Sequence, residues 1–171
     1  MQRSDDDRAD GLVVADCDDL SVARDLFREY LYATQEETGY PRKGDGILEY
    51  LLGELDDLPG PYQSPGGALL LARVGDAAAG SVALARVDDT TTEMRRLWVR
   101  PQWRRSGVGR ALAVASLDRA RVLGYRRLVL DVVPVRMGAI ALYQSLGFTE
   151  IEPYADVPFP MVFMARAVDP K

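Results

Sequence analysis

The sequence predicts an α/β domain in which helices flank a central mixed β-sheet. Three observations support this. Short apolar runs and helix-period segments follow one another in the order β-α-α-β-β-β-α-β-α-β-β. The apolar residues Leu97, Trp98 and Val99 lead into a glycine-bearing turn, and an apolar-periodic segment opens at Val108, so a strand feeds a turn and then a helix. Between Glu93 and Asp118 lie six arginines and no acid, in a chain of net charge −5.

The elements follow in order. Residues 12–15 read as a strand. Asp19 or Ser21 can cap a helix whose apolar positions are Val22, Leu26, Phe27, Tyr30 and Leu31, ending near Gly39. Residues 47–55 fit a second helix, and the Pro- and Gly-rich stretch 58–67 is a loop. Residues 68–74 and 80–87 form a hairpin about Gly75 and Asp76, and 91–99 is the next strand, stopped by Pro101. A helix runs from Val108 to Gly124, a strand over 127–133, a short helix over 139–146, and strands over 148–151 and 161–167.

With 171 residues, 47% of them hydrophobic, the chain is long enough for one domain with a sizeable core, expected over 10–171 behind a flexible polar segment 1–9. The acidic balance argues against bulk nucleic-acid or anionic-membrane binding. The chain has no histidine, which excludes Ser-His-Asp and Cys-His catalysis and most transition-metal sites. A single cysteine, Cys17, excludes an internal disulfide and a thiolate zinc cluster, and is expected to be inert. No metal is expected. Neither a signal peptide nor an apolar run of about 20 residues is seen, so a cytoplasmic protein without a membrane span is expected, as monomer or homodimer.

The turn Arg104-Arg105-Ser106-Gly107-Val108-Gly109-Arg110 has the makings of a phosphate seat. N–H groups at a helix start are unpaired, the helix dipole adds positive potential, and glycine allows close approach. A Rossmann reading lacks its third glycine, since Leu112 stands there, and no Gly-Lys-Ser/Thr follows for a Walker motif.

These residues match [Arg/Gln]-x-x-Gly-x-[Gly/Ala], and the segment Ala139-Ile140-Ala141-Leu142-Tyr143-Gln144-Ser145-Leu146-Gly147-Phe148 matches Ala-x-x-Leu-Tyr-x-x-x-Gly-Phe. The chain thereby resembles the GNAT family of N-acetyltransferases. The resemblance is carried by residues 91–151, and the element order extends it. It implies the GNAT fold, acetyl-CoA as acyl donor, and direct transfer to a small-molecule or peptide amine. A coenzyme A-binding module without catalysis is the alternative on the same fold. Two departures stand out: Arg105 where many relatives have glycine, and Arg136 where many have asparagine.

The resemblance assigns coenzyme A contacts to the backbones of Leu97, Trp98 and Val99, along which the pantetheine arm lies, and to Arg104, Arg105, Ser106, Gly107, Val108, Gly109 and Arg110 around the pyrophosphate. Arg136 is a further candidate phosphate partner. The strand at 127–133 is expected to splay from 91–99, freeing N–H groups for the thioester oxygen. Tyr143 is the candidate general acid, its phenol pKa of about 10 lying near that of a thiol at about 8.5. Glu93 is the first candidate base, with Asp131 in reserve. Regular alternation places Glu93, Arg95, Leu97 and Val99 on one face of the strand and Met94, Arg96 and Trp98 on the other. An acceptor pocket can draw on Tyr30, Tyr32, Glu36, Glu37, Tyr40, Tyr62, Tyr154 and Phe159; the same residues can equally be a solvated helix face and loop anchors.

Overall fold

The computed structural model describes residues 9–42 and 44–169. Most of the expected flexible segment therefore lies outside the described residues. Seven strands form one sheet in the order β1-β2-β3-β4-β5-β7-β6. They are β1 (Leu12–Asp16), β2 (Ala68–Val74), β3 (Ala77–Arg86), β4 (Thr91–Val99), β5 (Arg127–Val132), β6 (Thr149–Ile151) and β7 (Val162–Ala167), with helices α1 (Leu20–Thr38), α2 (Ile47–Gly53), α3 (Val108–Val122) and α4 (Met137–Ser145). The mixed α/β class holds, and only the β4–β5 pair is parallel.

Both faces of the sheet are covered, which explains why β2 opens with the unbroken apolar run Ala68 to Ala72. Ala68, Leu70 and Ala72 pack with α3 residues such as Leu112 and Leu117. Leu69 and Leu71 pack with Leu26, Phe27 and Leu31 of α1 and Leu48 of α2. Asp19 caps α1 as expected, its carboxylate accepting from Ser21 N at 2.9 Å and Val22 N at 3.3 Å. Strand β3 begins three residues earlier than expected, because Ala77 pairs with Val74 directly across a tight turn. A 3-10 turn over Pro101–Trp103, which the sequence did not announce, joins β4 to the glycine turn.

Two departures from a regular sheet shape the site. First, β4 and β5 pair only at Thr91–Arg127, Thr92–Leu128 and Glu93–Val129. Past that point the strands diverge, as the family resemblance implied. Second, β4 carries a bulge. Ala83 faces Arg95 and Ser81 faces Trp98, so Val82 stands opposite both Arg96 and Leu97, and Arg96 has φ of 55°.

The bulge corrects the expected alternation. Glu93, Arg95 and Trp98 lie on the α1/α2 face, paired with Ala85, Ala83 and Ser81; Met94, Leu97 and Val99 lie against the α3 core. The extra residue shifts the two-residue period by one, and a strict alternation carried across Arg96 therefore misplaces Leu97, Trp98 and Val99 relative to Glu93. Close approach of β3 to β4 here needs Gly80, where a Cβ would come within 2.3 Å of the Trp98 carbonyl oxygen.

Candidate active site

The glycine turn holds Arg105 at φ 61° and Gly107 at φ 81°, the latter capping α3. The first hydrogen bond of α3 runs from Ala111 N to Gly107 O at 3.0 Å. The N–H groups from Arg105 to Arg110 thus have no acceptor among the described residues. Left-handed residues alternating with extended or helical ones curl such N–H groups into a concave nest suited to an anion. Ser106 braces the turn, its Oγ donating to Trp103 O at 2.6 Å and its carbonyl accepting from Ala9 N at 3.0 Å. Gly109 sits where α3 approaches Leu142 and Val99.

The arginines of the window separate by role. Arg110 donates to Ser145 Oγ at 2.8 Å, tying α3 to α4. Arg104 lies over the Trp98 ring, 5.0 Å from its centre, and its Nε donates to Val99 O at 3.3 Å. Arg100 grips Glu29, which also accepts from Trp98 Nε1 at 3.0 Å. Arg136 is engaged by α1. It donates to Glu37 Oε2 at 2.8 Å and to Thr34 Oγ1 at 2.9 Å, and lies 4.9 Å from the Tyr30 ring centre. Its expected contact with a coenzyme A phosphate would require Arg136 to leave those α1 partners.

Between the splayed strands opens a cavity of about 290 Å³. Its walls include Glu93 to Leu97 of β4, Leu130 to Val132 of β5, Tyr30 of α1, Leu51 and Glu54, Tyr143 of α4, and Ala155 and Val157 of the loop 152–161. Three candidates for proton transfer, Glu93, Asp131 and Tyr143, therefore meet in one space although they come from three elements.

Their surroundings differ. Both oxygens of buried Glu93 are occupied: Arg95 Nε donates to Oε2, and Tyr154 Oη donates to Oε1 at 2.8 Å. Asp131 receives no hydrogen bond from any described side chain. Burial, with the nearby Glu93 charge adding to it, pushes its carboxyl up to about 6, against the partial opposition of Arg96 and Arg95. Tyr143 is 5% exposed, and burial raises its phenol well above the ordinary value. It stays protonated across the neutral range.

Of the acceptor-pocket candidates, Tyr30 lines the cavity and Tyr154 reaches it through Glu93. Tyr40 and Phe159 stack at 5.4 Å, joining the α1–α2 connection to the late loop. Glu37 holds Arg136. Tyr62 is buried in the α1/α2 core, while Tyr32 and Glu36 lie on the exposed surface. Glu54, Arg95 and Arg96 enter the cavity without having been singled out for it; the paired arginines inside a strand were the available signal.

Comparisons with known proteins agree with this geometry. An uncharacterised N-acetyltransferase of Schizosaccharomyces pombe is 36% identical over 116 residues, covering 65% of this chain and 71% of that protein. The N-acetylaspartate synthetase of Danio rerio is 32% identical over 67% of this chain, which spans only 43% of that relative's length. A putative acetyltransferase from Salmonella typhimurium, solved with its cofactor acetyl-CoA, shares the fold with a TM-score of 0.69 at 22% identity, over 94% of this chain and 95% of that one. No helix among the described residues is long and apolar enough to cross a membrane. A profile of the acetyltransferase (GNAT) family matches residues 23–148, which include the glycine turn, the diverging strands and Tyr143, and the chain belongs to that family.

Proposed function

We propose that this protein transfers the acetyl group of acetyl-CoA to a primary amine of a small acceptor, directly and without an acyl-enzyme. The observation that carries this reading is the alignment of two features on one β4–α3 unit: a run of N–H groups without acceptors from Arg105 to Arg110, and a strand edge opened beside a cavity holding Asp131 and Tyr143. The first suits a pyrophosphate and the second suits an extended amide-bearing arm, so the chain's residues fit coenzyme A.

The roles divide as follows. The N–H groups of residues 105–110 bind the pyrophosphate, and the β4 edge past Glu93 pairs with the pantetheine arm. N–H groups on that edge stabilise the negative charge that develops on the thioester oxygen. Asp131, open in the cavity and poised near neutrality, accepts the ammonium proton directly or through water. Glu93, held by Arg95 and Tyr154, sets the field around Asp131. Tyr143 donates to the departing sulfur. Because burial raises its pKa, hydrogen-bond donation stabilises the thiolate more readily than full proton transfer does. Cys17 does not line the cavity and burial raises its thiol, which supports direct transfer.

Thiol release from acetyl-CoA, measured over a panel of amines with binding of acetyl-CoA measured alongside, tests the reading. Binding with no release in any arm would leave a coenzyme A-binding module instead.

A further inference from the structure

The cavity sets limits on the acceptor. Its volume is about 290 Å³. That is room for a small amine beside the reacting acyl group. Leu51, Met94, Leu97, Val132, Ala155 and Val157 give it aliphatic walls.

Its charges are unevenly committed. Three guanidinium groups and three carboxylates line it: Arg95, Arg96, Arg136, Glu54, Glu93 and Asp131. Glu54 is paired with Arg96 at 2.8 Å and Glu93 with Arg95. The third arginine, Arg136, is neutralised from α1 by Glu37. This leaves Asp131 as the one carboxylate of the cavity without an ion-pair partner among the described residues.

The arginines keep donors in reserve. Arg95 bonds Glu93 through Nε with the Tyr62 phenol beside its guanidinium, and neither terminal nitrogen has a carboxylate or carbonyl partner among the described residues. Arg96 bonds Glu54 through Nη2 alone. Tyr30 holds Arg96 and Arg136 beside its ring, at 5.7 and 4.9 Å from the centre, so two guanidinium groups are fixed rather than free to swing out. A planar guanidinium with a free N–H edge recognises a carboxylate in two-point geometry.

Resting on the acetyl-transfer reading above, we propose that the acceptor is a small amine that also carries a carboxylate, an amino acid or amino dicarboxylate. Its ammonium sits at Asp131 and its carboxylate sits on the free N–H edges of Arg95 and Arg96.

The test compares thiol release from acetyl-CoA with leucine, aspartate and glutamate against leucinamide, isoamylamine and spermidine, using the intact chain. At least one carboxylate-bearing amine is expected to exceed every carboxylate-free one in kcat/KM by about 30-fold, the range for one charge-assisted hydrogen-bond set. Arg95→Gln and Arg95→Lys are expected to raise KM for that acceptor about tenfold or more while leaving acetyl-CoA binding in place, and to narrow the gap between acid and amide. Equal use of acid and amide, or preference for spermidine, overturns this inference and leaves acetyl transfer standing. No release in any arm despite acetyl-CoA binding overturns the transfer reading and this inference together.

Discussion

Tyr154 Oη donates to Glu93 Oε1 at 2.8 Å, while Arg95 Nε donates to the other oxygen of the same carboxylate. Glu93 is thus clamped between its own strand and a loop 61 positions further along. Each oxygen therefore already carries one donor, which fixes the carboxylate in place and lowers its basicity. Asp131, within reach of the same cavity, carries no such clamp. The relation between the two carboxylates organises the first two predictions.

Asp131 titrates near 6 in the fold, against 3.8 for an ordinary aspartate, chiefly through burial. A base acts when deprotonated, so activity is expected to rise with pH through about 6 and level off above it. Asp131→Asn removes that limb and lowers kcat by about 100-fold or more. Stability has the opposite sense. The folded state holds this proton more tightly than the unfolded chain, so the charged carboxylate weakens the fold as pH climbs from about 4 through 6. Asp131→Asn is therefore expected to stabilise by on the order of 2–3 kcal/mol near neutral pH and by almost nothing near pH 3. Denaturant melts at both pH values, beside a pH–rate profile, check both signs.

Glu93→Gln is expected to keep the limb near pH 6, moved downward because one negative neighbour of Asp131 is gone. Turnover falls by about tenfold. Loss of the limb in this variant would transfer the base role to Glu93. Tyr154→Phe removes one clamp and is expected to cost about 1 kcal/mol of stability, with a smaller effect on kcat than Glu93→Gln.

Tyr143→Phe keeps the ring that packs 5.8 Å from Phe148 and removes only the hydroxyl. A fall in kcat of about 10- to 100-fold is expected, with acetyl-CoA affinity changed by less than about twofold. Single-turnover rates beside calorimetric titration of acetyl-CoA separate the two. An unaltered kcat removes the phenol from the mechanism.

The two glycines of the turn should respond differently. Gly107 has φ of 81°, so Gly107→Ala is expected to cost about 1–2 kcal/mol and to weaken acetyl-CoA binding by deforming the nest. A Cβ at Gly109 would meet Leu142 and Val99 at 3.6 and 3.7 Å, ordinary contact distances. Gly109→Ala is expected to change stability by under about 0.5 kcal/mol. Thermal melts and acetyl-CoA titrations of both variants make the comparison.

Local chemistry made much of this fold readable. The apolar run 68–74 announced a strand, Asp19 or Ser21 announced a cap, and the glycine turn announced a helix start with exposed donors. What could not be read depended on partners far along the chain or on backbone conformation that no residue type demands. Arg96 adopts a positive φ that arginine seldom takes, so the bulge left no mark in the sequence and the alternation was carried one residue too far. Arg136 meets Glu37 across 99 positions, and no periodicity links them. Eight aromatic and acidic residues were eligible for the acceptor pocket; helix period put Tyr30 and not Tyr32 on the apolar side of α1, and only packing showed that Tyr30 lines the cavity.

The extra residue at Arg96 has a further consequence for the cleft. A bulge bends the strand that contains it, and this one follows directly on the last β4–β5 pair at Glu93 and Val129. Deleting Arg96 would leave Trp98 facing α1 and Leu97 and Val99 facing α3, since alternation closes over the gap; only the bend would go. Straightened, β4 could zip onward along β5 and fill the opening with bonds of its own. On the proposed reading the β4 edge past Glu93 is in that sense surplus sheet: donors and acceptors left without a strand partner on the β5 side, and so kept for a visitor.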